Sequence, residues 1–76
     1  MNNNIQCPLL KMGSSGASVK RLQTKLGAAG FNVGKIDGIF GTQTREAVIN
    51  FQNTNKLVRD GIVGKRTWTA LGVTCD

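Results

Sequence analysis

The chain has 76 residues, with 10 Lys or Arg against 4 Asp or Glu and no His, for a formal net charge of +6. A chain of this length forms one domain and buries only about 60% of its unfolded surface, which leaves few apolar side chains for a deep catalytic pocket. No apolar run approaches the roughly 18 residues of a membrane span, and one Trp and three Phe are too few for a base-stacking platform. The positive charge indicates either affinity for polyanions, among them nucleic acid, anionic lipid and wall polymers, or simply a solvated surface.

The two ends of the chain are predicted to lie outside the folded domain, which we place at residues 9–72. Residues 1–8 are expected to be disordered or extended, and they lack the charged and apolar regions of a signal peptide. If the protein is exported, its signal belongs to a parent chain or export takes another route. Residues 73–76 are predicted to form a C-terminal tail.

The two cysteines, Cys7 and Cys75, stand at opposite ends of the sequence. This spacing does not suit a compact metal site, which uses closely paired ligands and usually His. The sequence predicts that Cys7 and Cys75 form a disulfide that links the two termini in an oxidising environment, with two free thiols as the alternative. It predicts no metal ion and no cofactor.

Three helices are predicted in chain order, joined by glycine-rich links. Ser15 is the expected N-cap of the first helix, residues 16–29, because its hydroxyl can accept a bond from an unpaired backbone N–H. Gly30 suits the left-handed position that ends this helix. Apolar residues at helical spacing predict a second helix over 42–54 and a short third helix over 65–71. Without strand-length alternation, the fold class is all-α, a small three-helix bundle.

A twelve-residue unit occurs twice, as Asp37–Val48 (the first repeat) and as Asp60–Leu71 (the second repeat). Six positions are identical: Asp, Gly, Ile, Gly, Thr and Ala. In each copy we expect the Asp to form an Asx turn, the next Gly to adopt a conformation closed to other residues, and the Ile to point inward. The second Gly should cap a helix, the Thr should reach back to free amides, and the Ala should allow close helix approach. The predicted turn residues are Asp37, Gly38, Gly41, Asp60, Gly61 and Gly64.

A shorter pattern also occurs twice, as Val19-x-x-Leu22-Gln23 and Val48-x-x-Phe51-Gln52. It places both glutamines directly after core positions, where we expect their side-chain amides to form hydrogen bonds with the loop backbone. The aspartates of the repeats have two alternative roles, as calcium ligands or as a glycosidase pair. The calcium-ligand role lacks the alternating acids and terminal Glu of an EF-hand, and the glycosidase role lacks a cleft. Turn formation is therefore the favoured interpretation.

Small and apolar residues keep a fixed spacing over Leu10–Leu71. They run Leu10-x-x-Gly13-Ser14-x-Gly16-x-x-Val19-x-x-Leu22-Gln23-x-x-Leu26, then Gly30-Phe31, then the first repeat with Phe51-Gln52, then Leu57 and the second repeat. This pattern resembles the helical peptidoglycan-binding domain family. The resemblance implies a three-helix fold and a non-catalytic role in targeting amidases, carboxypeptidases, lytic enzymes and spore-cortex hydrolases to the bacterial wall. It also implies an extracytoplasmic, wall-associated or secreted location, in a larger hydrolase or in a stand-alone wall or phage-associated protein.

The leading functional prediction is non-covalent binding of peptidoglycan by a monomer, in a shallow groove between the two turn-and-helix units. Basic side chains could pair with anions of stem peptides or teichoic acids, and amides with sugar hydroxyls. Trp68 is an alternative apolar wall, although it is more typical of a core. The candidate contacts are residues that the core does not need: Phe31, Asn32, Lys35, Gln43, Arg45, Arg59 and Arg66.

Other functional classes fit the sequence less well. Catalysis lacks His and lacks a nucleophile beside a base. A nucleic-acid-binding or protein-interaction three-helix module remains the alternative, although the short third helix and the long first link suit a helix-turn-helix poorly. Neither nucleic acid nor membrane is the predicted partner.

Overall fold

The computed structural model describes residues 7–74, and that part of the chain folds into three α-helices without a β-strand longer than an isolated bridge. α1 spans Ala17–Ala28, α2 spans Thr42–Thr54 and α3 spans Lys65–Ala70. The predicted all-α, three-helix fold with glycine-rich links is thus confirmed. No helix within residues 7–74 is long and apolar enough to cross a membrane.

The core lies where one face of each helix meets the links between them. Trp68 of α3 is 0% exposed and lies within this core. It therefore belongs to the interior and cannot form the wall of a surface groove. Since three of the four aromatic rings are almost completely buried, they serve packing and not ligand contact. The buried apolar residues are Leu10, Val19, Leu22, Leu26, Val33, Phe40, Ala47, Val48, Phe51, Val63, Trp68 and Val73.

The segment before α1 runs across both repeats and ties them together. Leu10 exchanges two backbone hydrogen bonds with Val63 of the second repeat, at 3.0 and 2.8 Å. Residues 13–16 pair antiparallel with residues 38–40 of the first repeat. The indole N–H of Trp68 donates to the Pro8 carbonyl at 2.8 Å, over 60 residues of sequence. This segment therefore belongs to the folded unit although it is not helical.

The same pairing changes the expected start of α1. Ser15 forms a bridge with Ile39, and the N-cap of α1 is Gly16, without a side-chain capping bond. The prediction that Ser15 is the N-cap was wrong because tertiary pairing holds this residue in an extended, strand-like contact one position before the actual N-cap. α2 and α3 also begin at glycines, Gly41 and Gly64, whose carbonyls accept the first intrahelical bonds.

All three helices end in a Schellman motif, in which the chain turns through one left-handed residue. After α1 this residue is Gly30, as predicted, and after α3 it is Gly72, with φ values of 94° and 91°. After α2 the same position holds Lys56, at φ 59°. The Leu57 N–H still closes the motif on the Gln52 carbonyl at 2.8 Å. Lys56 is thus in a conformation that normally favours glycine.

The packed region continues beyond the expected end of the domain. Val73 is 4% exposed and joins the core, and Cys7 packs against the core from the other end of the chain. Cys7 is disulfide-bonded. Its expected partner, Cys75, lies outside the described residues, as do residues 1–6, so the Cys7–Cys75 pairing and the terminal boundaries stay predictions.

Candidate functional site

The first repeat is built around the buried amide of Gln23, which is 1% exposed. Its Nε2 donates to Asp37 Oδ1 at 3.2 Å, to the Ile39 carbonyl at 3.0 Å and to Thr44 Oγ1 at 3.0 Å. Its Oε1 accepts the Gly38 N–H at 2.9 Å. One side chain of α1 therefore fixes both the turn that precedes α2 and the first turn of α2 itself.

The second repeat contains the same network, built around Gln52 of α2. Gln52 Nε2 donates to Asp60 Oδ1 at 3.2 Å, to the Ile62 carbonyl at 3.0 Å and to Thr67 Oγ1 at 3.2 Å, and its Oε1 accepts the Gly61 N–H at 3.1 Å. In both copies the Asp accepts the N–H of the residue two positions ahead at 2.9 Å, which is an Asx turn. Each Gly has positive φ, 77° and 72°. The duplicated sequence is thus a duplicated hydrogen-bond network.

The isoleucines of the repeats point outward, contrary to the prediction. Ile39 is 58% exposed and Ile62 is 38% exposed, whereas the residues that follow them, Phe40 and Val63, are buried. The backbone groups of each Ile face the network, because its N–H donates to the Asp and its carbonyl accepts from the Gln. Successive side chains of an extended segment point to opposite sides, so the next residue enters the core.

Two smaller expectations about the repeats were also wrong. The hydroxyl oxygens of Thr44 and Thr67 accept from the glutamine amides, and do not cap free backbone amides as expected. The amide N–H groups of a buried Gln need acceptors, and the first turn of each helix places a Thr hydroxyl next to that amide. Ala47 is buried, but Ala70 is exposed, since the short α3 buries Thr67 and Trp68.

The electrostatics of Asp37 fit a structural role. The pKa of Asp37 lies below its ordinary value of 3.8, chiefly because its carboxylate accepts the Ile39 N–H and then the Gln23 amide. A general acid needs a raised pKa, so this shift has the wrong sign for Asp37 as the general acid of a glycosidase pair. Within residues 7–74, no three His, Cys, Asp or Glu side chains are grouped so that they could hold a metal ion.

An open groove of about 430 Å³ lies beside the second network, between the end of α2 and the start of α3. We call it the α2–α3 groove. Gln52, Asp60 and Thr67 are among its lining residues, so the network that holds the turn also forms part of the groove. Its remaining lining combines apolar and basic side chains: Leu9, Leu57, Val58 and Ile62, with Lys56, Lys65 and Arg66.

The candidate contacts from the sequence are spread over several places. Arg66 lies on the α2–α3 groove, and none of the other six lines it. Asn32 and Gln43 meet at Gly34, whose N–H donates to Asn32 Oδ1 at 3.0 Å. The Phe31 ring packs edge-on against Phe51, with centroids 5.4 Å apart. Ligand binding by these residues stays a prediction.

The remaining basic candidates lie on the surface. Arg45 packs against Gly61 and lies 4.0 Å from Glu46 in an exposed pair, an arrangement that contributes little to stability. Arg59 donates to Asn53 Oδ1 at 3.5 Å, and Lys35 is exposed. These three side chains do not form one site with Arg66.

Sequence reasoning missed most of the groove. Leu9 comes from the segment before α1, and Lys56, Val58 and Ile62 come from the link between α2 and α3, so the tertiary fold brings two distant segments together. One signal was available: the second repeat holds Lys65-Arg66 where the first holds Thr42-Gln43. This replacement of neutral by basic residues distinguishes the two copies.

Comparison with known proteins places this helical module in a family. Residues 15–71 match the family model of a peptidoglycan binding domain. The chain belongs to that family, which confirms the resemblance drawn from its motifs.

Among its relatives, a probable N-acetylmuramoyl-L-alanine amidase of Bacillus licheniformis is 46% identical over 65 residues, which cover 83% of this chain and 18% of the amidase. A spore cortex-lytic enzyme of Bacillus cereus is 42% identical over 59 residues, covering 78% of this chain and 23% of the enzyme. The crystal structure of the SleB N-terminal domain superposes with a TM-score of 0.85 at 38% identity, covering 91% of this chain and 94% of that one.

The chain therefore spans less than a quarter of the length of these two enzymes. It is similar to a module that occurs within cell-wall hydrolases, and these matches offer no support for a nucleic-acid-binding alternative.

Proposed function

We propose that this chain binds bacterial peptidoglycan non-covalently, as a monomer and without catalysis, and holds an attached or associated hydrolase at the wall, outside the cytoplasm. The observation that carries the proposal is the family match over residues 15–71, a segment that related amidases and cortex-lytic enzymes also contain. The chemistry of the chain agrees with a binding role. It has no His, and Asp37 and Asp60 are engaged in turns.

Sedimentation with purified insoluble peptidoglycan tests this proposal. We expect the chain to pellet with the wall material, while a basic protein of similar size and charge stays in the supernatant. Retention no greater than that of the charge-matched protein would contradict the proposal. Loss of wall turbidity on addition of the isolated chain would contradict its non-catalytic part.

The net charge of +6 supports a second, weaker contribution to wall binding, namely attraction to anionic wall polymers. Walls stripped of teichoic acid separate the two contributions. We expect the stripped walls to retain the chain, with less dependence on salt, because long-range attraction between exposed charges is screened within about 8–10 Å near physiological ionic strength. Complete loss of retention on stripping would mean that charge alone drives the association.

A further inference from the structure

The two repeats share a hydrogen-bond network but differ in the surface beside it. In the first repeat the Gln43 side chain lies over Gly34, and a Cβ added to Gly34 would be only 2.7 Å from Gln43 Oε1. The link between α1 and α2, residues 29–41, carries Gly34 and thus contacts Gln43. Gln43 occupies the position in the first repeat that Arg66 occupies in the second. The link of the second repeat, residues 55–64, is three residues shorter. There the corresponding surface is the open α2–α3 groove.

The lining of this groove is both basic and apolar. Lys56 and Arg66 are exposed cations on it, and Lys65 adds a third positive charge. Its one acidic residue, Asp60, already accepts the Ile62 N–H and the Gln52 amide. The groove therefore attracts an anion, and a carboxylate is a good acceptor for a guanidinium.

Apolar side chains that line the groove are exposed to solvent and are not packed in the core. Val58 is 74% exposed, Leu9 is 65% exposed and Ile62 is 38% exposed, and all three line the groove. Apolar side chains gathered in one concave surface are typical of ligand sites, in which a few polar groups set the orientation. Small aliphatic groups on the ligand would complement them.

Aromatic residues are absent from the lining of this groove. A sugar ring is commonly held by packing its C–H face on an exposed aromatic ring, but Trp68, Phe40 and Phe51 are buried in the core. A neutral glycan strand would thus find neither a ring to stack on nor a use for the positive charge. A short peptide with free carboxylates and methyl side chains matches both features.

We propose that the α2–α3 groove binds the stem peptide of peptidoglycan and not its glycan strand, with Arg66 and Lys56 contacting a peptide carboxylate and Leu9, Val58 and Ile62 contacting its aliphatic side chains. This inference rests on the proposed function. It also accounts for the strained Lys56, because its position at φ 59° presents a cation to the groove where glycine would present none.

NMR chemical-shift titration of the full chain separates the ligands. The probes are a soluble stem peptide, the same peptide with its carboxylates amidated, and glycan strands freed of peptide whose lactyl carboxylates have been amidated, so that the strand is neutral. We expect shifts at residue 9 and over residues 56–66 with the free peptide, and binding at least about tenfold weaker with the amidated one. Glycan strands that bind as tightly as the peptide, or peptide shifts confined to residues 31–43, would overturn the inference.

Matched variants test the two cations. We expect Arg66→Gln and Lys56→Gln each to weaken peptide binding about fivefold, the effect of one solvent-accessible ion pair. Lys20→Gln removes an equal charge from α1, away from the groove, and should leave binding unchanged. Equal losses in all three variants would mean that net charge and not the groove holds the peptide, and would refute the inference.

Sedimentation with intact walls, run in parallel, distinguishes the two proposals. Walls that retain the chain while the stem peptide produces no shifts would refute the stem-peptide groove and leave peptidoglycan binding standing. Failure of both experiments would refute both proposals. Retention on walls together with carboxylate-dependent peptide shifts supports both.

Discussion

Replacing Gln23 by Met should cost a large part of the stability of the domain. Gln23→Met keeps the size of the side chain, so the change is in hydrogen bonding and not in packing. It removes the acceptor of the Gly38 N–H and the donors to the Ile39 carbonyl and Thr44 Oγ1. Gly38 is buried, so water cannot replace the lost partner.

The magnitude follows from these contacts. A buried N–H left without an acceptor costs about 1–3 kcal/mol, and each lost donor contact about 0.5–1.5 kcal/mol. The bond to the Ile39 carbonyl is only partly buried, so its loss falls at the low end, whereas the bond to Thr44 is buried; we therefore expect a total loss of about 2–5 kcal/mol. A domain of this size has roughly 4–11 kcal/mol of unfolding free energy, so the variant should be marginally folded.

Urea unfolding, followed by circular dichroism and by the fluorescence of the buried Trp68, measures this loss. Gln43→Met is the matched control, because Gln43 is exposed on α2 and its replacement should change stability by less than about 0.5 kcal/mol. Gln52→Met should behave like Gln23→Met, since the two networks match bond for bond. If Gln23→Met proves no more destabilising than Gln43→Met, the networks do not hold the turns and the reasoning is refuted.

Three further changes have defined expected outcomes. Lys56→Gly should raise the unfolding free energy by about 1 kcal/mol in the same urea assay, since the left-handed conformation at φ 59° is strained for Lys, and an unchanged or lower value would contradict this. The depressed pKa of Asp37 means that its contribution to stability is complete above pH 3.8 and is lost as the pH falls through the lower folded-state value. Asp37→Asn should therefore flatten the fall in stability below pH 3.8, and an unaltered acid profile would count against the assigned role. Replacing Cys7 and Cys75 together by Ser should cost up to about 4 kcal/mol, the entropy of a loop that spans nearly the whole chain, and an identical mass with and without reductant would show that no disulfide exists in the native protein.

The sequence by itself determined the helices and the turns between them. Helical spacing of apolar residues and the Asp-Gly pairs are local signals, and the expected and observed bounds of all three helices differ by one residue at most. The duplication was equally visible, because six shared residues at fixed positions need no tertiary information. The same local pattern carried the resemblance that the family match then confirmed.

Only the tertiary structure decided which residues face the core and which face a ligand. Ile39 is apolar and follows a turn, yet it points outward because two contacts distant in sequence hold its backbone: residues 38–40 pair with residues 14–16, and the Ile39 carbonyl accepts from Gln23. The α2–α3 groove likewise depends on how far a link reaches: the longer first link meets Gln43, and the shorter second one leaves Arg66 on an open surface. Local sequence sets backbone preference, but the direction of a side chain and the opening of a surface depend on contacts between segments that only folding brings together.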